Sequence, residues 1–271
     1  MKLHQNKQWL VFRAGSFVLP TAVLLVWETA ARMGLLPKSH SAPPSVVVYH
    51  LAHLLYTSAL PMHLLYSMGR LLGGLVFGTV LGVFSGVILG SCRTADKLFS
   101  PTVGFLAGLP VVVWMPFWII LLGSGEGFKI GLSLTATYFL VHVHTFQAVR
   151  VVGLRYIELA EMYEKSLYER IRHILLPSAI PSILTASRIA IAIGWIVIFF
   201  VEFAAAREGS EGLGWFIADA RQVGRVEDEL AGFLLLGVAG FLMDRAVSFL
   251  QRRVSMWSDA FESRFYMGDT K

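Results

Sequence analysis

Two charged residues lie inside apolar stretches of the chain, where an unpaired charge is costly. Arg188 stands near the start of the stretch Ile183–Ala205, and Glu202 stands near its end. At membrane depth an ionisable side chain usually faces the bundle interior or water, so each residue is a candidate for a pathway or gate. The alternative for Arg188 is a side chain that snorkels to the nearer interface. For Glu202 the alternatives are structural pairing with an arginine near the same end and a role at a gate.

The remaining chemically capable residues do not form a recognisable catalytic or metal site. His142 and His144 are two positions apart and point to different faces of a helix, while His50 and His53 have no evident third ligand. No G-x-S-x-G or H-E-x-x-H pattern organises the serines, histidines and carboxylates. The lone Cys92 excludes a disulfide within one chain and a cysteine-based zinc site. We therefore assign no metal site. No G-x-x-x-x-G-K-[ST] loop is present, so we do not expect this chain to bind or hydrolyse ATP itself.

The composition indicates a protein that is embedded in a lipid bilayer. Hydrophobic residues make up 55% of the 271 residues and charged residues 15%, against about 25% charged in soluble domains. Several stretches of about 20 apolar residues have the length that crosses a bilayer. We therefore predict an all-α, polytopic membrane helical bundle of about six transmembrane helices, as one domain over residues 1–271. The predicted spans are Ala14–Leu36, Met68–Ser91, Leu98–Leu122, Phe128–Val149, Ile183–Ala205 and Leu230–Leu250.

The distribution of basic residues predicts the orientation of these spans. Most lysines and arginines outside them fall in the N-terminal segment, the second and fourth connections and the C-terminal segment. By the positive-inside rule these segments face the cytoplasm, which places both termini inside. The first apolar stretch is too long for a signal peptide and is predicted to stay as an uncleaved helix. Ser39–Tyr56 is too polar to span and is expected to lie along the outer interface. The net charge of +5 comes without a basic patch, so nucleic acid is not an expected partner.

The second predicted span carries a regular stripe of glycines. Small residues at a four-residue spacing let another helix approach closely, and such contacts matter because lipid gives no hydrophobic drive between helices. We expect the stripe to be a packing face, within the bundle or against a second copy; the alternative is the lining of a pore. Its members are Gly74, Gly78, Gly82, Gly86 and Gly90.

Prolines interrupt the third predicted span. Pro101, Pro110 and Pro116 each remove a backbone donor and kink or break a helix. The freed carbonyls then need neighbours or water, so we expect this segment to lie inside the bundle. Trp114 stands among the prolines and, with Pro116, is a second candidate for the pathway or gate.

A long polar connection at 150–182 separates the fourth and fifth predicted spans. Its sequence IELAEMYEKSLYERIRHILLP places apolar residues at helical spacing, with charged residues between them. Such a segment is too short for a domain and too polar for the bilayer. We interpret residues 150–182 as a cytoplasmic loop whose apolar face is docked against another protein. That face comprises Leu159, Met162, Tyr163, Leu167, Ile171 and Ile174.

The same loop resembles the cytoplasmic "EAA" signature of binding-protein-dependent ABC importer permeases. Glu158-Leu159-Ala160 stands for the opening triplet, and Ile174-Leu175-Leu176-Pro177 stands for the I/V-x-L-P ending at the right spacing. The resemblance covers nearly the whole chain and is similar to the nitrate, sulfonate, taurine and bicarbonate branch of the family. Residues that match this branch are Pro181, Arg188, Trp195, Glu202, Gly212, Leu213 and Gly214.

The resemblance implies a transmembrane subunit that imports a small anion by alternating access. It implies a second permease copy in a homodimer, two cytosolic ATPase subunits that bind ATP and Mg, and an extracytoplasmic solute-binding protein. The location would be the bacterial inner membrane, in contact with lipid. Trp195 joins the pathway candidates on this basis. The residues expected to couple to the ATPase are Glu158, Leu159, Ala160, Met162, Tyr163, Glu164, Leu167 and Pro177.

Two residues depart from the family pattern, and two other functional classes remain as alternatives. Glu164 stands where the motif has a glycine that permits a turn, and glutamate favours a continuing helix. Leu159 replaces a smaller alanine at a packed contact. A secondary transporter would carry coupling carboxylates at midplane and inverted repeats, and an intramembrane enzyme would place facing polar groups inside several spans. Neither feature is apparent in the sequence.

Overall fold

The computed structural model describes residues 18–37, 41–162, 166–205 and 211–266, and within them the chain is helices joined by short connections. No strand occurs in these ranges. Two non-α turns are present: a 3-10 turn at Val111–Trp114 precedes α5, and a π turn at Ile171–Leu175 precedes α8. The helices are α1 (residues 18–32), α2 (Pro44–Thr57), α3 (Leu60–Ser91), α4 (Arg93–Ala107), α5 (Met115–Leu122), α6 (Glu126–Met162), α7 (Leu167–Arg170), α8 (Leu176–Ala204), α9 (Leu213–Val223) and α10 (Val226–Tyr266).

Three helical stretches within the described ranges are both long and apolar enough to cross a membrane. They are Leu60–Ser91, Leu167–Ala204 and Val226–Phe249, and α4 with α5 makes a fourth if the bent pair is one span. The described part of α1 has only 15 residues. Helix α6 has 37 residues but carries too many polar side chains to qualify by composition. The helical membrane bundle predicted from the sequence is therefore present, although α6 contains no stretch as apolar as those of α3, α8 and α10.

The proline-containing span is broken and lies outside the bundle of this chain, contrary to the prediction. The axes of α4 and α5 meet at 103°. Pro110 precedes the 3-10 turn between them and cannot donate the backbone hydrogen bond that would continue α4. Neither α4 nor α5 contains a buried residue. Helix α5 packs on α6 through Trp118, whose indole donates to Thr135 over 2.9 Å.

The glycine stripe of α3 is a contact face with α6. A Cβ at Gly78 would come within 2.6 Å of the Cβ of Thr137, and one at Gly86 within 2.7 Å of the Cβ of Thr145. At these positions of α3 the contact with α6, here called the seam, has room only for the hydrogen side chain of glycine. The side of α6 that meets the stripe also repeats every four residues, with Ser133, Thr137, Val141, Thr145 and Val149.

Helix α8 completes the centre of the bundle, and α10 packs on its other side. A buried apolar cluster joins α3, α8 and α10, with members that are almost fully enclosed. It consists of Leu71, Ile191, Trp195, Ile198 and Ala239. The side chains that remain exposed on the outer surfaces of α3 and α10 are mostly apolar, such as Phe84 and Phe241, as expected for surfaces in contact with lipid.

The two ends of the bundle are built differently. One end, here called the α9 end, is covered by α2 and α9, which share an apolar cluster containing Val47, Leu60 and Ile217. The opposite end, here called the α7 end, contains the last turns of α6, the short α7 and the first turns of α8. The fold therefore places Glu202 at one end and the 150–182 segment at the other.

Candidate functional site

Glu202 forms a buried ion pair with Arg70 at the α9 end. The Glu202 side chain is fully enclosed and the Arg70 side chain is 3% exposed. Arg70 Nη1 donates to Glu202 Oε1 and to the backbone carbonyl of Glu211, the latter over 2.7 Å. The geometry is that of a structural pairing with an arginine at the same end, one of the two alternatives considered for Glu202. Loss of Arg70 would leave the Glu202 carboxylate as a buried charge without its cation, which typically costs about 3–5 kcal/mol.

The same carboxylate helps to hold the start of α9. Glu202 Oε2 accepts from the backbone N–H of Gly214 over 2.9 Å, and Ser67 Oγ accepts from that of Leu213 over 2.8 Å. His63 Nδ1 accepts from the N–H of Gly212 over 3.1 Å. The first N–H groups of a helix have no partner within it, so side chains of α3 and α8 supply the acceptors here. Helix α9 is thereby fixed to the end of the bundle.

Gly212 has a conformation and a setting that exclude other residues. Its φ of +130° lies in a region that L-amino acids rarely adopt. A Cβ there would lie 2.5 Å from Arg70 Nη1 and would also overlap the carboxyl group of Glu202. The glycine therefore lets the chain pass directly over the Arg70–Glu202 pair.

Arg70 has a second carboxylate partner on its other side. Its Nε and Nη2 donate to both oxygens of Glu126, and Lys129 Nζ donates to Glu126 Oε1 over 3.1 Å. Glu126 begins α6, so one guanidinium connects α3, α6, α8 and the connection before α9. The sequence suggested an arginine near the same end as Glu202 but did not identify Arg70, and it gave no indication of Ser67 or Glu126. The available signal was the i, i+3 spacing of Ser67 and Arg70, which puts both on one face of α3.

Arg188 pairs with an acidic residue instead of extending alone to the interface. Its Nε and Nη2 donate to the two carboxylate oxygens of Asp244 on α10. The two side chains are 45% and 40% exposed. Snorkelling alone therefore does not describe Arg188, because the bidentate contact holds its guanidinium between α8 and α10.

The remaining pathway candidates lie apart from this pair. Trp195 is 6% exposed in the cluster of α3, α8 and α10. Trp114 is half-buried against Phe139 of α6, with ring centroids 5.7 Å apart, while Pro116 is exposed in the first turn of α5. The structure does not bring these residues together with Glu202 or Arg188 into one cavity-lining group.

The predicted coupling segment is made from the ends of two long helices. Helix α6 continues without a break from the bundle through Arg150 to Met162, so no separate loop begins at 150. Glu158, Leu159 and Ala160 lie in the last turns of α6; the surroundings of their side chains fall outside the described residues, as do Tyr163 and Glu164 altogether. Leu167 is 57% exposed in α7, and Pro177 is exposed in the first turn of α8.

The helical pattern of this segment is interrupted at Ser166, while Glu164 itself lies outside the described residues. Ser166 has extended backbone angles of −60° and 155° and caps α7. Its hydroxyl accepts from the N–H of Glu169 over 3.3 Å, while the Glu169 carboxylate accepts from the N–H of Ser166 over 3.0 Å. This capping box satisfies two N–H groups at a helix start. A local start signal at Ser166 therefore ends the apolar helical pattern that the sequence suggested was continuous.

A family of known proteins matches most of the chain. The family described as "Binding-protein-dependent transport system inner membrane component" matches residues 78–256. The match begins within the glycine stripe and includes the buried Glu202, α9 and most of α10.

Individual relatives and a solved structure agree with this match. The taurine transport system permease protein TauC of Escherichia coli is 28% identical over 266 residues, covering 94% of this chain and 96% of TauC. The bicarbonate transport system permease protein CmpB of Synechocystis is 27% identical, covering 70% of this chain and 68% of CmpB. A chain of the MetNI methionine ABC transporter, solved in inward-facing conformations, has the same fold, with a TM-score of 0.61 and 18% identity over 72% of this chain and 95% of that chain.

Proposed function

This chain belongs to the family of binding-protein-dependent transport system inner membrane components, and we propose that it moves a small oxyanion through an ABC importer by alternating access. It is an ABC importer permease of the sulfonate, taurine and bicarbonate branch. The carrying observation is the near full-length similarity to TauC, which spans both ends of the bundle. Taurine, other sulfonates and bicarbonate share a small, compact, anionic oxygen group, and this is the proposed substrate class.

The proposed energy source is a pair of cytosolic ATPase subunits at the α7 end. The exposed side chains of Leu167 and Tyr168 offer an apolar contact there, and α6 and α8 run from this end through the bundle. A displacement of the docked segment would be carried along both helices to the α9 end. ATP and Mg would be bound by the partner subunits, with no cofactor on this chain.

The proposed assembly contains two copies of this permease and an extracytoplasmic binding protein at the α9 end. The apolar outer surface of α5, including Ile120 at 86% exposure, supports a further covering by lipid or by the second copy. The five lysines and arginines of the 150–182 segment at the α7 end support a cytoplasmic location for that end and for both termini. Residues 1–271 would then form one permease domain in the bacterial inner membrane. The proposed coupling residues are Glu158, Leu159, Ala160, Met162, Tyr163, Glu164, Leu167 and Pro177.

Reconstitution tests this proposal. The purified chain alone should hydrolyse no ATP, and the complex with its ATPase should hydrolyse ATP and accumulate a labelled sulfonate in proteoliposomes when the binding protein is present. A Walker-lysine variant of the ATPase is the control for contaminating hydrolysis. Robust hydrolysis by the isolated chain, or sulfonate uptake that needs no ATPase, would overturn the assignment.

A further inference from the structure

At the α9 end, two buried cations converge on one exposed carboxylate. Arg70 donates through Nε and Nη2 to the two oxygens of Glu126, and Lys129 adds a third donor. The Arg70 and Lys129 side chains are 3% and 9% exposed, whereas the Glu126 side chain is 58% exposed. The positive groups thus form the floor of the site, and the carboxylate closes it from the solvent side.

The charges at this site do not balance without Glu126. Arg70 is already paired on its other side with Glu202. For Lys129, Glu126 is the ion-pair partner that the described part of the chain provides. If the Glu126 carboxylate turned into solvent, the Lys129 ammonium would lose this partner and the Arg70 guanidinium would keep only Glu202 as an ion-pair partner. Arg70, Lys129 and Glu202 together would then carry one positive unit, while the Glu211 carboxylate lies to one side, at Tyr66. Such a site attracts an anion of one negative charge.

We propose that Arg70 and Lys129 form a binding subsite for the transported oxyanion, and that the Glu126 carboxylate occupies it as an internal stand-in when no substrate is present. This inference rests on the proposed function and names a contact of the substrate. The planar guanidinium presents two parallel N–H donors, which match two oxygens of a sulfonate or of bicarbonate as they match a carboxylate. The ammonium of Lys129 supplies a point charge for another oxygen.

The surroundings fit an exchange of one anion for another. Glu126 lies at the first position of α6, and rotation of its exposed side chain vacates the subsite while the buried Arg70–Glu202 pair keeps α9 in place. The Tyr66 ring lies 5.8 Å from the Arg70 guanidinium carbon and is 38% exposed. It provides a surface for the short organic part of a sulfonate beside the cations.

The test measures binding of methanesulfonate to the full-length chain in detergent, read as the shift of its thermal midpoint with ligand concentration. Sodium chloride at equal ionic strength is the reference. Removing the stand-in with Glu126→Gln should lower the apparent Kd about fivefold, because a partly exposed ion pair contributes about 1 kcal/mol. Glu126→Asp, whose shorter carboxylate reaches the cations less well, should give an intermediate gain and replaces the first variant if that one does not fold.

Two control variants separate a site from a general charge effect. Asp219→Asn removes an exposed carboxylate that pairs with Arg225 and should leave the Kd unchanged. Adding Lys129→Gln to Glu126→Gln should abolish the gain. An unchanged or higher Kd for Glu126→Gln, an equal gain for Asp219→Asn, or a gain that survives loss of Lys129 would each overturn the subsite. If the assembled importer fails to transport sulfonates while Glu126→Gln still gains affinity, the proposed transport function falls and the subsite stands.

Discussion

Replacement of Gly82 by leucine tests the seam between α3 and α6 at its centre. Gly82 is buried, and a Cβ there would lie 2.9 Å from the carbonyl oxygen of Tyr138 and 3.0 Å from the Cβ of Val141. Both atoms are fixed to the backbone of α6 and cannot rotate away. The same helix provides a matched control at Gly69, where a Cβ would meet no heavy atom within 4 Å.

The distances set the size of the effect. Carbon atoms pack best at about 3.5–4.0 Å, so the Cβ alone requires a separation of about 0.5–1 Å, which forfeits a quarter to a half of each van der Waals contact nearby. Overpacking typically costs about 1–3 kcal/mol, and the branched end of leucine places Gly82→Leu at about 3 kcal/mol. At Gly69 no clash is expected, and leucine has a better helix propensity than glycine. The free energy of unfolding of Gly69→Leu should therefore equal that of the wild type or exceed it by up to about 1 kcal/mol.

Thermal unfolding of the purified variants in one detergent measures this difference. A loss of about 3 kcal/mol corresponds to a midpoint lower by about 6–12 °C in a protein of this size, and Gly82→Leu should also impair assembly and transport. Gly69→Leu should keep the wild-type midpoint within a few degrees. Equal midpoints for the two variants, or normal transport by Gly82→Leu, would show that the stripe does not limit the helix separation and would refute the reasoning.

Three further changes test other contacts. Gly212→Ala should cost about 1–3 kcal/mol through its positive φ and the clash with the Arg70–Glu202 pair, lowering the thermal midpoint; an unchanged midpoint would contradict the description of the α9 start. A double-mutant cycle of Arg188→Gln and Asp244→Asn should give a coupling of about 0.5–1 kcal/mol, because both side chains are partly exposed, and a coupling of zero would show that the pair is energetically silent. Cysteines at positions 161 and 164 should crosslink to the ATPase in the assembled complex; efficient transport without a crosslink, and with Glu158→Lys tolerated, would reject the docking of this segment.

The features predictable from the sequence are those carried by local spacing. The glycine repeat predicts a close helix contact, because both the four-residue period and the absence of side chains can be read from the sequence. The apolar length of α3, α8 and α10 identifies them as spans for the same reason. Glu202 could be singled out because a charge in an apolar stretch needs a partner wherever the chain finds one.

The features that escaped prediction depend on which segments meet. Nothing near Glu202 in sequence identifies Arg70, which is more than one hundred positions away, or shows that three N–H groups of the α9 start would share its surroundings. The position of α4 and α5 outside the bundle follows from a 103° bend whose direction no proline pattern specifies. The break before α7 was in principle visible, since Ser166 and Glu169 have the spacing of a capping box, but the apolar period across it was more prominent.

The polar composition of α6 has a consequence for the making of this protein. Each transmembrane segment is offered to the bilayer as it leaves the ribosome, and a segment with buried hydroxyl and imidazole groups such as Thr137 and His142 gains little by entering lipid alone. The glycine stripe of α3 is already in the membrane when α6 leaves the ribosome, because α3 precedes α6 in the chain. Helix α6 is therefore expected to insert only when it can pack against α3. A substitution in the glycine stripe would then leave the fourth predicted span of newly made chains poorly inserted. Such chains would be degraded by membrane proteases before any transporter is assembled.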